Sequence, residues 1–292
     1  MCLFKIKIKK QVFVIAIWFI SICSTISAEE IIFASLPLER PEKIFREMRP
    51  FLDYIGKELD VSIKIQYYKN YKDIVSNFKE EKIDLVLLGP LPYIQLRKLY
   101  SDADPVVLFL NSKGESTYTC SLITGIESGI EFSGQLKGEH IALTQPLSTC
   151  GYYSVNNLLS KEGIDISDTL YRYLGTHENV VLSVVRHEFA AGGVKTAIAK
   201  RFEHLGIRFL GETGPMPGFA LIANGRTLNP EQIEMIKRKL LELDPLNNSV
   251  HKKITEDWGN IIKYGTAVVS DEDYSEIRQS LGDIVIPDKG NF

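Results

Sequence analysis

The chain has few of the residues that build metal, redox and nucleotide sites. Its 292 residues include five histidines and four cysteines, and neither set shows the close spacing of a zinc or redox motif. The glycine pair Gly192-Gly193 stands alone, without the further glycines of a dinucleotide-binding loop. Internal repeats and low-complexity tracts are lacking too. We therefore expect a globular protein that binds neither a metal ion nor a cofactor.

The amino terminus has the features of an export signal. Four lysines lie within residues 5–10, an apolar run follows at residues 12–23, and small residues precede Glu29. This order predicts a secretory signal peptide over residues 1–28, cleaved after Ala28, and hence a periplasmic protein. The apolar run is short for a membrane span. An uncleaved anchor and a lipid anchor on Cys23 are the alternatives.

Positive charge is scarce in the exported chain. Removal of residues 1–28 takes four lysines and no acidic residue, which leaves 30 basic against 37 acidic residues and a net charge near −7. This balance argues against the basic surface that binds nucleic acids or anionic membranes. Any anion that the chain binds must therefore be held by local donors rather than by a broad positive field.

Only two cysteines, Cys120 and Cys150, remain after processing. In an oxidising compartment two such cysteines can pair. Pairing depends on the distance between their Cα atoms, which the sequence leaves undetermined. A disulfide and two free thiols therefore both stay open.

Apolar patterning predicts that the chain begins as an α/β unit. Strand patterns occur at residues 31–36, 61–67 and 84–88, and helical apolar stripes at residues 42–59 and 71–80. Such a βαβ succession predicts a mainly parallel sheet with helices on its faces.

A second set of elements begins after the polar stretch at residues 111–116. Strands are predicted at residues 118–124, 140–143, 170–174 and 207–210, and helices at residues 152–161 and 178–188. A rigid crossover at residues 214–218 leads to a strand at residues 219–223 and a helix at residues 230–243, capped by Asn229. We expect one lobe from residues 29–115 and 219–292, a second from residues 116–218, and a cleft between them.

Three loops follow apolar strands and carry polar groups, at residues 89–93, 148–151 and 175–179. Ligands of open α/β sheets bind at the carboxyl ends of the strands. The second loop places Ser148, Thr149 and Cys150 where a helix begins, and the first turn of a helix offers unpaired N–H groups that suit a small oxyanion. An ordinary Ser/Thr helix cap is the alternative.

Other candidate residues also have structural alternatives. His177 in the third loop is either a ligand contact or a capping histidine, and Tyr71, Tyr93 and Tyr118 are either ligand contacts or half-buried aromatic residues. Cys150 with His177 would make a nucleophile and base. No local motif supports that pairing, so we expect no enzyme; a cysteine hydrolase stays as an alternative.

The sequence that contains these residues resembles the phosphate/phosphite/phosphonate-binding periplasmic components of ABC transporters, a branch of the type II periplasmic binding proteins. The similarity runs from about residue 31 to residue 281. It rests on the segments Lys82-Ile83-Asp84-Leu85, Leu88-Gly89-Pro90, Gln145-Pro146-Leu147-Ser148-Thr149-Cys150-Gly151-Tyr152, Gly175-Thr176-His177-Glu178 and Asp271-Glu272-Asp273-Tyr274.

The resemblance implies a two-lobed α/β fold, each lobe a mixed sheet flanked by helices, that closes on a tetrahedral oxyanion. It also implies a monomer that delivers its ligand to a membrane permease; a sensor that partners a receptor or kinase is the alternative. The phosphoryl contacts of relatives correspond to Ser148, Thr149, Cys150, His177, Tyr71 and Tyr118, with Tyr93 as a further neighbour. Relatives with a third hydroxyl have serine at position 150.

The resemblance also bears on the ligand. Relatives that bind aminoalkylphosphonates place carboxylates against the amine, but the corresponding positions here hold Ala197 and Phe219, and Ala190 stands where an aspartate is common. Burial of an ammonium without a carboxylate is costly. The implied ligand therefore lacks an amine: phosphate, phosphite or a short alkylphosphonate.

Overall fold

A computed structural model describes residues 30–37 and 40–292. The predicted signal peptide, residues 1–28, lies outside the described residues. Within the described part of the chain, no helix combines the length and apolar character that crossing a membrane requires.

Strands and helices alternate along the chain. The strands are β1 (Glu30–Ser35), β2 (Ser62–Gln66), β3 (Leu85–Leu88), β4 (Ala103–Phe109), β5 (Thr117–Tyr118), β6 (Cys120–Gly125), β7 (His140–Leu143), β8 (Leu170–Tyr173), β9 (Ala191–Lys195), β10 (Ile207–Glu212), β11 (Met216–Pro217), β12 (Ala220–Asn224) and β13 (Thr266–Ala267). The α-helices are α1 (Pro41–Leu59), α2 (Tyr71–Lys79), α3 (Pro90–Leu99), α4 (Ser154–Ser160), α5 (His177–Val185), α6 (Thr196–Arg201), α7 (Pro230–Leu241), α8 (Ser249–Thr255) and α9 (Ser275–Leu281).

The strands form two mixed sheets flanked by helices, as predicted. The first has the order β13-β4-β12-β3-β1-β2, and the second the order β10-β6-β9-β7-β8. Within the first sheet β1 pairs parallel with β2 and with β3, and the other neighbouring strands pair antiparallel, so the expectation of a mainly parallel sheet holds for its first half. A two-stranded ribbon of β5 and β11 lies on the two chain connections between the sheets.

The helices cover the sheets through the apolar stripes that the sequence shows. In α1 the buried side chains recur three or four residues apart, as they do on the core-facing side of an amphipathic helix: Ile44, Met48, Phe51, Leu52 and Ile55. They pack with Phe33 and Leu85 of the first sheet. The predicted cap of α7 is confirmed, because the Asn229 side chain accepts a hydrogen bond from the Gln232 N–H.

Three elements near the cleft were not predicted: α3, β9 and α6. Residues 90–93 were interpreted as a loop, but they form the first turn of α3. Proline is tolerated there because the first N–H groups of a helix have no partner within it. In β9, two glycines weaken the strand pattern.

The glycine pair of β9 allows helices to approach both faces of this strand. A Cβ atom on Gly192 would lie 2.5 Å from Cγ1 of Val180 in α5, and one on Gly193 would lie 2.7 Å from the Cys150 carbonyl oxygen. Only glycine fits at such separations. The pair therefore sets the positions of the helical segment after β7 and of α5.

The carboxyl-terminal tail lies against the second sheet. The Asn291 side chain accepts from the Tyr171 N–H at 2.7 Å and donates to the Thr169 carbonyl at 2.8 Å, and the Tyr173 hydroxyl donates to the Pro287 carbonyl. The last few residues of the segment 219–292, which we expect in the first lobe, thus contact the second sheet, because β8 is an edge strand whose free backbone groups the tail pairs.

Candidate functional site

The parallel strands β7, β8 and β9 end at one edge of the second sheet. Ser148, Thr149 and Cys150 follow the end of β7, and His177 follows the end of β8. Lys195 is the last residue of β9. Opposite them, across the cleft, lie residues of the first sheet's helices and loops. Together they enclose a small cavity lined by Leu36, Tyr71, Gly89, Pro92, Tyr118, Ser148, Thr149, Cys150, His177, Lys195 and Phe219. We call it the oxyanion cavity.

The hydroxyl residues of the second loop begin a helical segment. A π-helical turn, Thr149–Tyr153, runs directly into α4, and Ser148 stands at its amino end. Ser148 is buried, and among the described residues its side chain makes no capping hydrogen bond. The capping alternative therefore does not describe Ser148, whose hydroxyl stays available to a ligand.

Thr149 connects the two lobes. Its Oγ1 accepts a hydrogen bond from the backbone N–H of Leu91, at 3.1 Å. Leu91 is in the first turn of α3, where an N–H has no partner within the helix. This bond crosses the cleft.

Cys150 forms a disulfide with Cys120, with 5.1 Å between the Cα atoms. The open question of pairing is thus settled in favour of the disulfide. A disulfide sulfur carries no hydrogen to donate and is not a free thiolate, so the alternative of a cysteine hydrolase lacks its nucleophile in this structure. The backbone N–H of Cys150 remains the group by which this residue can contact an anion.

His177 is held as a neutral imidazole. Its Nδ1 accepts the backbone N–H of Lys195 at 3.1 Å, which leaves the hydrogen on Nε2. Burial, reinforced by the positive charges of Lys195 and Arg201, lowers the pKa of His177 to about 4. At neutral pH this side chain is a hydrogen-bond donor without charge.

Of the three candidate tyrosines, two line the cavity. Burial raises the pKa of Tyr71 and of Tyr118 above the usual range of a phenol, so both keep their hydroxyl hydrogens. Tyr93 is not brought to the cavity: its hydroxyl donates to Asp271 at 2.7 Å, and its ring packs against Tyr274. Its neighbour Pro92 faces the cavity instead.

Lys195 is a cavity residue that the sequence analysis missed. It ends β9, and its Nζ lies 4.6 Å from the ring centroid of Tyr118 and 5.2 Å from that of Phe219. Burial lowers its pKa to about 8, so it carries a positive charge at neutral pH. The position of Lys195 could have indicated its role, since β9 runs parallel to β7 and ends at the same edge of the sheet.

The arrangement combines one cation with several neutral donors. Within the described residues, no group of three or more His, Cys, Asp or Glu side chains could hold a metal ion. Among the residues that the structure describes, no acidic side chain lines the oxyanion cavity. Such donors suit an anion, because hydrogen bonds to a charged acceptor are the strong ones.

Solved structures of binding proteins share the fold of this chain. The structure superposes on the methylphosphonate complex of PhnD1 from Prochlorococcus marinus with a TM-score of 0.73, at 17% identity over 86% of this chain and 97% of that one. A binding-protein component of a phosphonate ABC transporter from Pseudomonas aeruginosa gives 0.69, at 19% identity over 87% and 85%. An alkanesulfonate-binding protein from Xanthomonas axonopodis gives 0.57, at 14% identity over 86% and 92%. These likenesses establish a type II periplasmic-binding-protein fold.

The family follows from the sequence itself. The family model for the periplasmic substrate-binding proteins of phosphonate ABC transporters matches residues 33–274, most of the chain and all of the cavity residues. The resemblance stated from the motifs is thereby confirmed. This chain belongs to the phosphonate-binding family of periplasmic substrate-binding proteins of ABC transporters.

Proposed function

We propose that this protein captures a small phosphorus oxyanion, a short alkylphosphonate, phosphite or phosphate, in the oxyanion cavity and delivers it to an ABC permease. The observation that carries the proposal is the convergence of Ser148, Thr149, His177 and Lys195 on one cavity, whose described lining contains no acidic side chain. A solved relative of the same fold binds methylphosphonate. Each of these four side chains can donate to a phosphoryl oxygen.

The proposed contacts divide by their chemistry. Ser148, Thr149, Tyr71 and Tyr118 supply hydroxyl donors, and His177 supplies its Nε2–H. The N–H groups of Thr149 and Cys150 have no acceptor within their own helix and complete the set. Lys195 neutralises part of the ligand's charge. Tyr93 has no proposed contact, since its hydroxyl is bound to Asp271.

Binding requires the cleft to open. The oxyanion cavity measures about 20 Å³, close to the space that a single water molecule occupies. We propose that the lobes separate about the ribbon of β5 and β11, which breaks the bond between Thr149 and Leu91. They would close again around the ligand, and this hinge motion would present the loaded form to the permease.

The remaining parts of the proposal concern the state of the protein. We propose that it is exported through residues 1–28, acts as a monomer and catalyses no reaction. Its family favours delivery to a permease over presentation to a receptor or kinase.

Isothermal titration calorimetry on residues 29–292 tests the function. We expect methylphosphonate, phosphite or phosphate to bind with a measurable enthalpy, and methanesulfonate, which carries less charge, to bind more weakly. Binding of 2-aminoethylphosphonate without any binding of those three oxyanions would contradict the proposal. So would the failure of every phosphorus oxyanion to bind.

A further inference from the structure

Lys195 lies at the boundary between two cavities. Beside the oxyanion cavity lies a larger one of about 580 Å³, which we call the outer cavity. The two share Tyr118, Lys195 and Phe219. The rings of Tyr118 and Phe219 are stacked, with centroids 6.3 Å apart and planes 9° from parallel, and the Lys195 ammonium lies over both. A cation so placed is held by the electrons of the ring faces.

The ammonium of Lys195 has no acidic partner within the described residues. Burial is the cause of its lowered pKa, and no nearby carboxylate acts against it. A buried charge without a counter-ion is unfavourable. An anionic group of a ligand would therefore be stabilised beside it, and a cationic group would be repelled.

The charges that line the outer cavity also favour an anionic group over a cationic one. Its ionisable lining consists of Lys113, Lys195, Lys200, Glu115 and Glu212. Both carboxylates already accept hydrogen bonds, Glu115 from the Asn111 side chain at 2.9 Å and Glu212 from the Thr119 hydroxyl. No salt bridge joins these glutamates to the three lysines in the described part of the chain. With three lysines against two glutamates, the charged lining of the outer cavity carries a net positive charge.

We propose that Lys195 selects phosphonates whose substituent carries a carboxylate. The phosphoryl group would occupy the oxyanion cavity, and the substituent would extend past the Tyr118 and Phe219 rings toward the outer cavity. This inference rests on the proposed function and names the substrate class of the same site. A carboxylate one or two carbons from phosphorus lies next to the Lys195 ammonium, whereas an amine at that distance meets a like charge before it reaches Glu212.

Calorimetry with three phosphonate probes tests the inference. Phosphonoacetate, methylphosphonate and 2-aminoethylphosphonate differ in the charge of the substituent. For the unmodified protein we expect phosphonoacetate to bind at least tenfold more tightly than methylphosphonate, and 2-aminoethylphosphonate at least tenfold more weakly. The Lys195→Met variant should bring the three affinities to within about threefold of one another.

Two further variants separate charge from packing. Lys195→Arg keeps a cation that stacks on aromatic rings and should keep the order of affinities. Lys69→Met removes an exposed lysine outside both cavities and should leave all three affinities unchanged.

The ranking in the unmodified protein decides the outcome even where a variant folds poorly. Phosphonoacetate binding no tighter than methylphosphonate would overturn the inference while methylphosphonate binding still supports the proposed function. An equal loss for all three probes in Lys195→Met would also overturn it, because Lys195 would then serve the phosphoryl group alone. Absence of binding by every phosphorus oxyanion would remove both proposals.

Discussion

The backbone N–H of Lys195 donates to Nδ1 of His177 over 3.1 Å, and this bond joins the ends of two neighbouring elements of the second lobe. It fixes the imidazole so that Nε2–H is the free donor. It also places a positive side chain and a neutral donor in the same cavity. The electrostatics of the site therefore depend on how these two residues are held together.

The buried imidazole predicts a pH-dependent stability. The pKa of His177 falls from 6.5 to about 4 on folding. The unfolded chain thus takes up a proton that the folded protein does not, and stability that is complete above pH 6.5 is lost as the pH falls toward 4. We expect the free energy of unfolding without ligand to drop by roughly 1–3 kcal/mol from this residue across that window.

Urea unfolding at pH 7 and pH 5 measures the effect. In His177→Gln the side-chain oxygen can still accept the Lys195 N–H, but nothing titrates, so the difference between the two pH values should shrink. His204→Gln, at an exposed position, should behave as the unmodified protein does. An unchanged pH dependence in His177→Gln would show that the imidazole is not buried as described.

The disulfide predicts that oxidation supports the ligand-binding loop. Cys120 and Cys150 enclose a loop with a sequence separation of 30, and loss of such a constraint costs about 3–4 kcal/mol in the chain-entropy description. We expect the double variant Cys120→Ala/Cys150→Ala to unfold at a lower temperature and to bind methylphosphonate more weakly, because Cys150 lies in the helical segment that carries Thr149. Reduction with dithiothreitol should have the same two effects on the unmodified protein and none on the double variant. Identical melting temperatures with and without reductant would contradict the pairing.

The close approach at Gly193 predicts a sensitive position away from the ligand. A Cβ atom there would collide with Val155 and lie 2.7 Å from the Cys150 carbonyl, so Gly193→Ala should push the helical segment away from β9. We expect a loss of about 1–3 kcal/mol in stability, typical of overpacking, together with weaker ligand binding. Chemical denaturation and calorimetry measure the two effects. Gly214→Ala is the matched control, since its Cβ would meet no atom within 4 Å; equal behaviour of the two variants would refute the packing argument.

The meeting of the candidate site loops was predictable because it depends on strand direction. Parallel strands carry their loops to one edge of a sheet, and this rule placed Ser148 and His177 together from the sequence. Lys195 follows the same rule, but β9 was not predicted because its two glycines weaken the strand pattern in the sequence. Helices pack on both faces of this strand. A sequence pattern reflects the secondary structure that each residue prefers, but not the tertiary packing that can override this preference.

Other features depend on contacts between distant parts of the chain. Tyr93 and Tyr71 look equivalent in the sequence, yet the Tyr93 hydroxyl is taken by Asp271, 178 residues further along the chain. The pairing of Cys120 with Cys150 likewise could be decided only from the distance between their Cα atoms, which is 5.1 Å. The tail around Asn291 pairs with β8 although the chain had returned to the first lobe. Such long-range pairings leave no local periodicity by which they could have been predicted.

The most direct test of the account is the affinity of Ser148→Ala/Thr149→Ala for methylphosphonate. The Ser148 hydroxyl has no capping role, so its removal should not disturb the fold, and the Thr149 change removes its hydrogen bonds with Leu91 and with Tyr118. Calorimetry should find no detectable binding to the double variant, with circular dichroism like that of the unmodified protein, while Ser76→Ala on the exposed side of α2 binds normally. Unchanged affinity in the folded double variant would contradict the assignment of the oxyanion cavity as the ligand site.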